Sequence, residues 1–511
     1  MKRTILAAIS LSILLPYGAH AQLTYSDFRT IRGAALSDEG AAHSMGKIVP
    51  VDYTMVPGPA ANPPAEPPNL KLDSVNAVLM KRLWALQQKG VKKELFTQEH
   101  INRLMRGLGD MDMQFVDPIS PARWETILED MAATADKEYA KGVLDGDKLV
   151  DGMLKQAVDD LKEPHSEYLD PDEVAVWQQH IAGTSVGIGV LCSTHAKGVL
   201  IEAVFPGSGA QKAGLQSEDV ITAVVVDKKS MKLAGRPLKG SIKLIAGEAG
   251  TKVLLKILRN GAVLPEPIEI ERSSVEVPNN FSKMAAPGIG YVYFREFSKN
   301  TDQQVLDRIR SLRSQGAKSL ILDVRGNPGG LVPSVASIAS EFLKDNEDIV
   351  SFKHQSMIAV KAVTKGDGEF LDMPLVVLVN GNSASASEIL SATMQDRRDG
   401  YTIIGSRSYG KGTQQALIPQ GDGRSLKLTQ NRWYSSADRT IDAQHDPDTG
   451  KEIAGTGGVV PDLSVELSEE QEAKIMGQIM EQLFKMPAKK EAVQDPVLEK
   501  AIEVLSHAKA G

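Results

Sequence analysis

The spacing of apolar residues changes several times along the chain, and each change marks a different kind of secondary structure. Residues 71–165 show helical spacing, with apolar side chains three and four positions apart. Thr97 is suited to cap one helix, and Arg123–Ala140 and Asp147–Leu161 continue the pattern. The apolar positions on both sides of Thr97 are Val75, Val78, Leu79, Leu83, Leu86, Ile101, Leu104, Met105 and Leu108. The pattern predicts a helical N-terminal region over residues 71–165.

Residues 183–276 carry short apolar runs separated by glycine turns instead of a helical period. The expected strands are Val186–Leu191, Val199–Val204, Asp219–Val226 and Val253–Leu258, and the expected helices are Gly207–Ala213 and Leu238–Ile245. Several strands with two helices in so short a segment indicate a compact α+β module.

Residues 277–465 alternate between apolar runs and amphipathic segments, which is typical of an α/β core. The expected strands are Gly290–Phe294, Ser319–Val324, Leu375–Val379 and Tyr401–Ile404, and the expected helices are Asp302–Gln315, Val332–Leu343 and Glu388–Asp396. Functional loops in such a core follow the carboxyl ends of the strands. The chain as a whole is therefore expected to be an α+β multidomain protein.

Residues 466–511 form a tail that returns to a helical pattern. Ser468 and Gln471 form a capping-box sequence, and Asp495-Pro496 is suited to start a second helix. Both helices are amphipathic, so each needs an apolar surface to pack on. The pattern leaves two surfaces open, the core of the same chain and another subunit. The second surface would make the terminal helices an interface of a homo-oligomer.

The first residues have the features of an export signal. Two basic residues precede the apolar run Ile5–Leu15, and Ala19-His-Ala21 follows as a cleavage sequence. We expect a signal peptide over residues 1–21, cleaved after Ala21, that directs the protein to a bacterial periplasm, either free or peripherally associated with a membrane. Residues 22–70 are expected to form a poorly ordered, proline-rich leader and linker.

Composition narrows the classes of function. The chain has 58 Lys and Arg against 65 Asp and Glu, a net charge of −7, which argues against nucleic acid binding through a basic surface. Its single cysteine, Cys192, excludes an internal disulfide and a cysteine-rich metal site. The nine histidines show no metal-binding spacing, so we expect no metal and no other cofactor. Beyond the export signal, no apolar run reaches the ~18 residues of a stable membrane span.

A loop of small residues after a buried strand is the first candidate for chemistry. Leu375–Val379 runs into Asn380-Gly-Asn-Ser-Ala-Ser-Ala-Ser387, and a helix follows at once. A substrate carbonyl could approach a serine in this loop, and N–H groups at the helix start could stabilise an oxyanion. The alternative is that these serines only cap the helix.

A glycine-rich loop holds the second candidate, Lys411. The spacing from Gly405 to Gly410-Lys411 matches a P-loop, but Gly412 replaces the residue that would bind magnesium and no helix pattern follows. A desolvated lysine in such a loop can act as a base, whereas a solvated one stays protonated. A third loop, Asp323-Val-Arg-Gly-Asn-Pro-Gly-Gly330, contains glycines that let backbone N–H groups point into a site.

Taken in chain order, these segments resemble a carboxyl-terminal processing peptidase of the tail-specific serine protease family. The resemblance covers roughly residues 110–505. It implies a PDZ domain over residues 183–276 and a ClpP/crotonase-like protease core over residues 277–465. The stretches that carry it are Pro164-His-Ser-Glu-Tyr-Leu169, Val186-Gly-Ile-Gly-Val190, Ala213-Gly-Leu-Gln-Ser-Glu-Asp-Val-Ile221, Gly250-Thr-Lys-Val-Leu-Leu255, Asp323 to Gly330, Ser383-Ala-Ser-Ala-Ser-Glu-Ile389, Gly410-Lys-Gly-Thr-Gln-Gln415 and Gly458-Val-Val-Pro-Asp462.

The resemblance also implies roles for individual residues. Ser385 would be the nucleophile, Lys411 its general base, and Gln415 the residue that orients the lysine. The chemistry agrees, because a serine hydroxyl needs an adjacent base and a free lysine, with a pKa of about 10.4, must be desolvated to be neutral at pH 7. The other implied site residues are Ala386 with Gly329 or Gly330 as backbone donors of the oxyanion hole, and Glu388 and Thr413 as supporting polar residues.

By the same resemblance, the PDZ module would recognise the C-terminus of a substrate. An extended peptide would add as a strand beside Ile188–Leu191, and N–H groups of the preceding loop would hold its carboxylate. The residues implied are Gly187, Ile188, Gly189 and Val190. A purely structural module is the alternative. The implied partners are proteins or peptides with accessible C-termini and, as in some members of the family, an adaptor protein.

The expected function is a periplasmic serine endopeptidase that cleaves through a Ser–Lys dyad and an acyl-enzyme. Two other functions remain open. One is a PDZ scaffold on an inactive protease core. The other is a Ser-His-Asp hydrolase that uses His354 or His445, since the sequence spacing of such a triad is not fixed.

Overall fold

The computed structural model describes residues 51–57, 97–142, 145–227, 229–354, 358–397, 400–444, 453, 455–486 and 493–507. The expected signal peptide, most of the expected leader and the predicted helical positions from Val75 to Leu86 lie outside these ranges. No helix in the ranges given is long and apolar enough to cross a membrane.

The N-terminal helices begin at capping residues. The elements up to residue 182 are β1 (Val51–Pro57), α1 (Gln98–Gln114), α2 (Pro121–Ala140), α3 (Gly146–Asp159), β2 (Glu167–Leu169) and α4 (Pro171–Ala182). The side chains of Thr97, Ser120 and Asp145 accept backbone N–H groups in the first turns of α1, α2 and α3. These three helices agree with the predicted pattern. The apolar spacing does not indicate α4, which buries only Val174 and Trp177.

Residues 183–276 fold around their own apolar cluster, which includes Ile201, Ile221 and Leu255. The sheet order is β10-β8-β6-β5-β4, while β7 pairs with β6, β9 pairs with β8, and β3 pairs separately with β11. The elements are β3 (Thr184–Gly187), β4 (Val190–His195), β5 (Gly198–Val204), α5 (Gly209–Lys212), β6 (Val220–Val226), β7 (Lys229–Lys232), α6 (Leu238–Ile245), β8 (Lys252–Arg259), β9 (Ala262–Val263), β10 (Ile268–Glu271) and β11 (Ser273–Glu276).

The single strand predicted over Val186–Leu191 is wrong, because the chain turns at Ile188 and Gly189. Gly189 has a φ of 78°, and a Cβ atom there would lie 2.3 Å from the Cβ atom of Ser208. Only glycine fits this position without strain. The turn lets β3 pair with β11 and β4 pair with β5.

A parallel sheet forms the centre of the core, in the order β12-β13-β14-β17-β18-β21, with parallel pairing from β13 onwards. The elements from residue 277 are β12 (Asn280–Ala286), β13 (Ile289–Phe294), α7 (Thr301–Ser314), β14 (Ser319–Asp323), α8 (Val332–Ser340), β15 (Asp348–Lys353), β16 (Ile358–Thr364), β17 (Leu375–Val379), α9 (Ala386–Arg397), β18 (Tyr401–Gly405), β19 (Thr413–Gly421), β20 (Arg424–Ser435), β21 (Leu463–Ser464), α10 (Glu469–Phe484) and α11 (Pro496–His507).

Alternate residues of the central strands face opposite helical layers. On β14, Leu320 and Leu322 pack with α7, α8 and α9, whereas Ile321 packs with Ile475 and Val497 of α10 and α11. Because both faces are covered, the three middle residues of β14 and all residues of β17 are apolar. The tail helices therefore pack on the core of their own chain, the first of the two surfaces that the sequence leaves open.

A second, antiparallel sheet lies beside the parallel one, in the order β1-β16-β15-β20-β19, with β2 paired to β20. The apolar spacing does not indicate its long strands, because they bury polar residues. On β20, Lys427 is 3% exposed and Thr429 is fully buried. Helices α1 to α3 pack on this sheet, since Leu104 and Trp124 share a cluster with Leu428.

The expectation of a poorly ordered leader over residues 22–70 is wrong for residues 51–57. This segment is β1, which pairs antiparallel with β16 from Val51 to Pro57. Its sequence alternates apolar Val51, Tyr53 and Met55 with polar residues, which is the period of a strand. The segment that follows is rich in proline, so the composition of residues 22–70 as a whole indicates a linker and not a strand.

Replacing Leu322 by alanine should destabilise the fold by about 2–5 kcal/mol, because the side chain is fully buried under α7 and α8. Leu371→Ala is the matched control, since Leu371 is 38% exposed and loses far less buried surface. Urea unfolding followed by circular dichroism measures both variants. Equal unfolding midpoints for the two would contradict this account of the core.

Candidate active site

Ser385 lies in the turn between β17 and α9 and has an uncommon backbone conformation. Its φ is 54°, in the left-handed region, and the residue is 4% exposed. Its N–H group donates to Oε2 of Glu388 at 2.8 Å. The Ser383 hydroxyl fixes the same turn by donating to the Val324 carbonyl at 2.8 Å. The turn places Ser385 at the carboxyl end of the parallel sheet.

Lys411 lies in the loop between β18 and β19 and is 1% exposed. The indole N–H of Trp433 donates to the Lys411 carbonyl at 2.8 Å, and the N–H of Gly412 donates to Oδ1 of Asp442 at 3.0 Å. A Cβ atom on Gly412 would lie 2.5 Å from the Asp442 Cβ atom. Gly412 thus permits a close contact that holds the lysine loop against residue 442.

The carboxylate of Glu388 joins the serine turn to the lysine loop. Its Oε2 atom accepts the N–H groups of Ser385 and Lys411, both at 2.8 Å. Its Oε1 atom accepts the Ser408 hydroxyl and the Gly410 N–H group, both at 2.6 Å. Since one oxygen atom binds the backbone of both candidate catalytic residues, the two loops must lie side by side.

Burial sets the protonation of this site. Desolvation lowers the pKa of Lys411, the positive charge of Lys427 adds to this effect, and Glu163 and Glu388 oppose it, so that the pKa falls to about 7. Desolvation also raises the pKa of Glu388 to about 7, against the hydrogen bonds that it accepts. Lys411 can therefore lose its proton near neutral pH, as a general base must.

Gln415 and Thr413 lie at the start of β19, next to the lysine loop. The Gln415 amide donates to the hydroxyl oxygen atoms of Thr413 at 3.1 Å and of Thr429 at 3.0 Å. The Thr429 hydroxyl in turn donates to Oε2 of Glu163 at 2.6 Å. A hydrogen-bonded chain thus leads from Gln415 across β20 to the loop that precedes β2.

Sequence reasoning missed Glu163 and Lys427, whose charges act on Lys411, and Thr429, which accepts from the Gln415 amide. Lys427 and Thr429 lie in a strand that the apolar spacing does not indicate. A signal for Glu163 exists, because it directly precedes the stretch Pro164–Leu169 that carries part of the family resemblance. Ser166 in that stretch also donates to Oε2 of Glu163, at 2.6 Å.

The loop after β14 lies against the serine turn. A Cβ atom on Gly329 would lie 2.8 Å from both the Ser385 Cβ atom and the Ala386 nitrogen atom. The N–H group of Gly329 donates to Oδ1 of Asn327 at 2.9 Å, so of the two candidate glycines Gly330 is the better candidate for an oxyanion donor. Ala386 is the first residue of α9, where N–H groups have no acceptor within the helix.

The predicted peptide-binding residues surround the turn between β3 and β4. Gly187 ends β3 and Val190 begins β4. Ile188 is 3% exposed within the apolar cluster of the module, and its carbonyl accepts the Ala210 N–H group at 2.8 Å. The side chain of Ile188 therefore stabilises the module, and only its N–H group is left for the predicted ligand. Gly189 provides the left-handed turn.

The histidines considered for a triad give no such arrangement in the part of the chain that the structure describes. His354 follows β15, and its Nδ1 atom lies 2.5 Å from the Gln430 carbonyl oxygen atom. His445 lies outside the described residues. The described residues also contain no group of three His, Cys, Asp or Glu side chains that could hold a metal ion.

Parts of the chain are similar to known proteins. Residues 288–465 match the family model of Peptidase family S41. The carboxy-terminal processing protease CtpA of Bacillus subtilis is 34% identical over 293 residues, 57% of this chain and 61% of that protein. A probable CtpA-like serine protease of Staphylococcus haemolyticus is 33% identical over 302 residues, 59% of this chain and 58% of that protein. The chain thus spans about three fifths of the length of these curated relatives.

A solved structure, the photosystem II D1 C-terminal processing protease, is also similar. It is 24% identical in sequence and has a TM-score of 0.43. The match covers 73% of this chain and 94% of that chain.

The stability of the protein should rise relative to that of Lys411→Met as the pH increases from about 7 to 10.5. Over this range the unfolded state binds a proton on Lys411 that the folded state does not, so rising pH favours folding. Urea unfolding midpoints measured at several pH values test this, with Ser385→Ala as a control that removes a group which does not ionise there. A difference between the protein and Lys411→Met that does not change with pH would contradict a lowered pKa for Lys411.

Proposed function

We propose that the chain is a serine endopeptidase of the C-terminal processing type, with Ser385 as nucleophile and Lys411 as general base, because residues 288–465 match the family model of Peptidase family S41. The observation that carries this proposal is the single oxygen atom of Glu388 that binds the backbone of both residues at 2.8 Å. It holds two loops of separate sequence side by side in a buried site, where burial lowers the pKa of Lys411.

The reaction proceeds through an acyl-enzyme. Neutral Lys411 takes the hydroxyl proton of Ser385 as the serine oxygen atom bonds to the substrate carbonyl carbon. The N–H groups of Ala386 and Gly330 bind the oxyanion that forms. Lys411 then gives its proton to the leaving amine as the C–N bond breaks. Water attacks the ester, gives one proton to Lys411 and releases the new C-terminal acid, and Lys411 returns the proton to Ser385.

Gln415 and Thr413 act as positioning residues for the lysine. The contacts of Gln415 with Thr413 and Thr429 fix its side chain beside the lysine loop. A lysine side chain has many rotamers, so a buried amide that limits them favours the one conformer that reaches the serine. Glu388 has a different role, since it holds the backbone of the two loops.

The module of residues 183–276 binds the C-terminus of the substrate in this proposal. β4 is the last strand of its sheet among the described residues, so an extended peptide can continue the sheet along it. The N–H groups of the turn from Gly187 to Val190 hold the terminal carboxylate. Substrates are then proteins or peptides with an accessible C-terminus.

The proposed site of action is the periplasm. Support comes from the sequence of residues 1–21, in which a basic start, an apolar run and Ala19-His-Ala21 occur in the order of an export signal. The substrates would accordingly be exported proteins.

Ser385→Ala and Lys411→Ala should each lower the rate of peptide cleavage by about 10⁴-fold or more, because each removes one half of the nucleophile–base pair. An unfolded test protein with an apolar C-terminus is a suitable substrate, and mass spectrometry of the products measures cleavage. His354→Ala and His445→Ala are the controls and should keep full activity. Loss of activity in either histidine variant with an active Lys411→Ala would support a triad instead, and no cleavage by any protein would favour a scaffold.

A test peptide with a free C-terminal carboxylate should bind Ser385→Ala about 10- to 100-fold more tightly than the same peptide with a C-terminal amide, because charge-assisted hydrogen bonds to the turn are lost. Fluorescence anisotropy measures both affinities. Gly189→Ala should remove the difference, since its methyl group would lie 2.3 Å from the Ser208 Cβ atom. Gly240→Ala, whose methyl group meets open space in the same module, is the control. Equal affinities for the peptide with a free carboxylate and the peptide with a C-terminal amide would mean that the module does not recognise the carboxylate.

A further inference from the structure

The tail helices, α10 and α11, contact the loops of the candidate active site. A Cβ atom on Gly326 would lie 2.8 Å from the methyl group of Met476 in α10. Gly326 belongs to the loop of residues 323–330, here named the oxyanion loop, which also contains Gly329 and Gly330. The tail therefore contacts the loop that supplies the proposed oxyanion donor.

A buried ion pair joins the oxyanion loop to the start of α11. Arg325 is 2% exposed, and its two terminal nitrogen atoms donate to the two carboxylate oxygen atoms of Asp495 at 2.9 and 2.8 Å. Asp495 also accepts the N–H group of Leu498 at 3.1 Å, which caps α11. Such a two-point contact fixes direction as well as distance.

On its other side, Arg325 is bound to the parallel sheet. Its Nε atom donates to Oδ1 of Asp323 at 3.0 Å, and Asp323 is the last residue of β14. The Tyr291 hydroxyl donates to Oδ2 of Asp323 at 2.8 Å. Arg325 thus lies between one carboxylate from the sheet and one from the tail, and both are needed to define its position.

A second contact from the tail reaches the serine turn. Oε1 of Glu472 in α10 accepts the amide of Asn380 at 2.6 Å. Oδ1 of Asn380 accepts the N–H groups of Gly326 at 2.9 Å and of Asn382 at 3.1 Å. Glu472 therefore orients an amide that binds the oxyanion loop and the serine turn together.

The rest of the oxyanion loop carries this constraint to the serine. The Asn327 carbonyl accepts the N–H group of Ala384 at 3.0 Å and the hydroxyl of Ser387 at 2.9 Å. Arg325 and Gly326 contact the tail, and Gly330 follows them in the same short loop. A shift of the first part of the loop is therefore transmitted to the proposed oxyanion donor.

We propose that Asp495 and Glu472 are positioning residues of the active site, through which the tail helices hold the oxyanion loop in its catalytic geometry. This inference rests on the proposed peptidase function. An oxyanion hole acts only if its donors are fixed before charge develops, and a displacement of about 1 Å can lower a rate 100-fold. The tail is then part of the catalytic apparatus and not only a cover for the sheet.

The activity test compares Asp495→Asn and Glu472→Gln with matched controls on the same helices. Glu499→Gln and Glu470→Gln also remove one carboxylate each, from residues that contact Gln494 and Lys474. The first two variants should lower kcat about 10- to 100-fold and change KM by no more than about twofold. They should also weaken the binding of a peptide aldehyde inhibitor, which forms an oxyanion on Ser385, by a similar factor. The controls should change neither value, and Asp495→Glu should recover part of kcat. An unchanged kcat, or a loss that only follows the folded fraction measured by calorimetry, would overturn the proposal.

A second measurement does not require activity. Amide hydrogen exchange, followed by mass spectrometry, should be faster in residues 325–330 of Asp495→Asn and Glu472→Gln than in the unchanged protein, while residues 198–204 of the module exchange equally. If the unchanged protein cleaves nothing, the proposed function fails, but exchange still decides whether the tail holds the loop. Unchanged exchange in residues 325–330 would reject the positioning role in either case. If Asp495→Asn does not fold, Glu472→Gln still allows the same measurement.

Discussion

The buried carboxylate of Glu388 is the interaction on which the site depends. An ionised carboxylate taken out of water loses several kcal/mol of solvation unless hydrogen bonds replace it. Here four donors replace it, from the serine turn and the lysine loop. The Ser385 contact is also reciprocal, because the Glu388 N–H group donates to the Ser385 carbonyl at 2.8 Å. This pair stabilises a backbone with a φ of 54°, which a serine would otherwise seldom adopt.

The same burial that makes Glu388 depend on its donors also changes Lys411. Desolvation is the largest cause of the pKa change in both residues, and it acts in opposite directions on an acid and a base. Both groups therefore titrate near pH 7. The site stores an unfavourable free energy of desolvation, which packing elsewhere in the fold must offset. The two apolar layers on either face of the parallel sheet supply that packing.

Much of the central sheet and the loops of the site could be predicted from the sequence. The buried strand Leu375–Val379 is apolar at every position, and a loop of small residues follows it directly. Lys411 could be found because glycines surround it, although its burial could not. The antiparallel sheet was not predicted from the spacing of apolar residues, because its strands bury polar residues such as Lys427. Glu163 and Thr429 are 266 positions apart and meet only through the pairing of β2 and β20, which apolar spacing cannot show.

Three separate parts of the sequence hold the proposed catalytic residues. The loop before β2 reaches Gln415 through Glu163 and Thr429, the core contributes Glu388, and the tail binds Arg325. The module is joined to the same framework, because Val277 donates to the Gly183 carbonyl at 3.0 Å.

The module also contacts the tail, since the Phe205 ring stacks on Phe484 of α10 at 5.6 Å. The start of α10 is fixed by a capping box at Ser468, and its apolar face is buried on the parallel sheet. A helix held at both its end and its face has little freedom to move. The contacts therefore favour a rigid candidate site, joined to the module that is proposed to bind the C-terminus of the substrate.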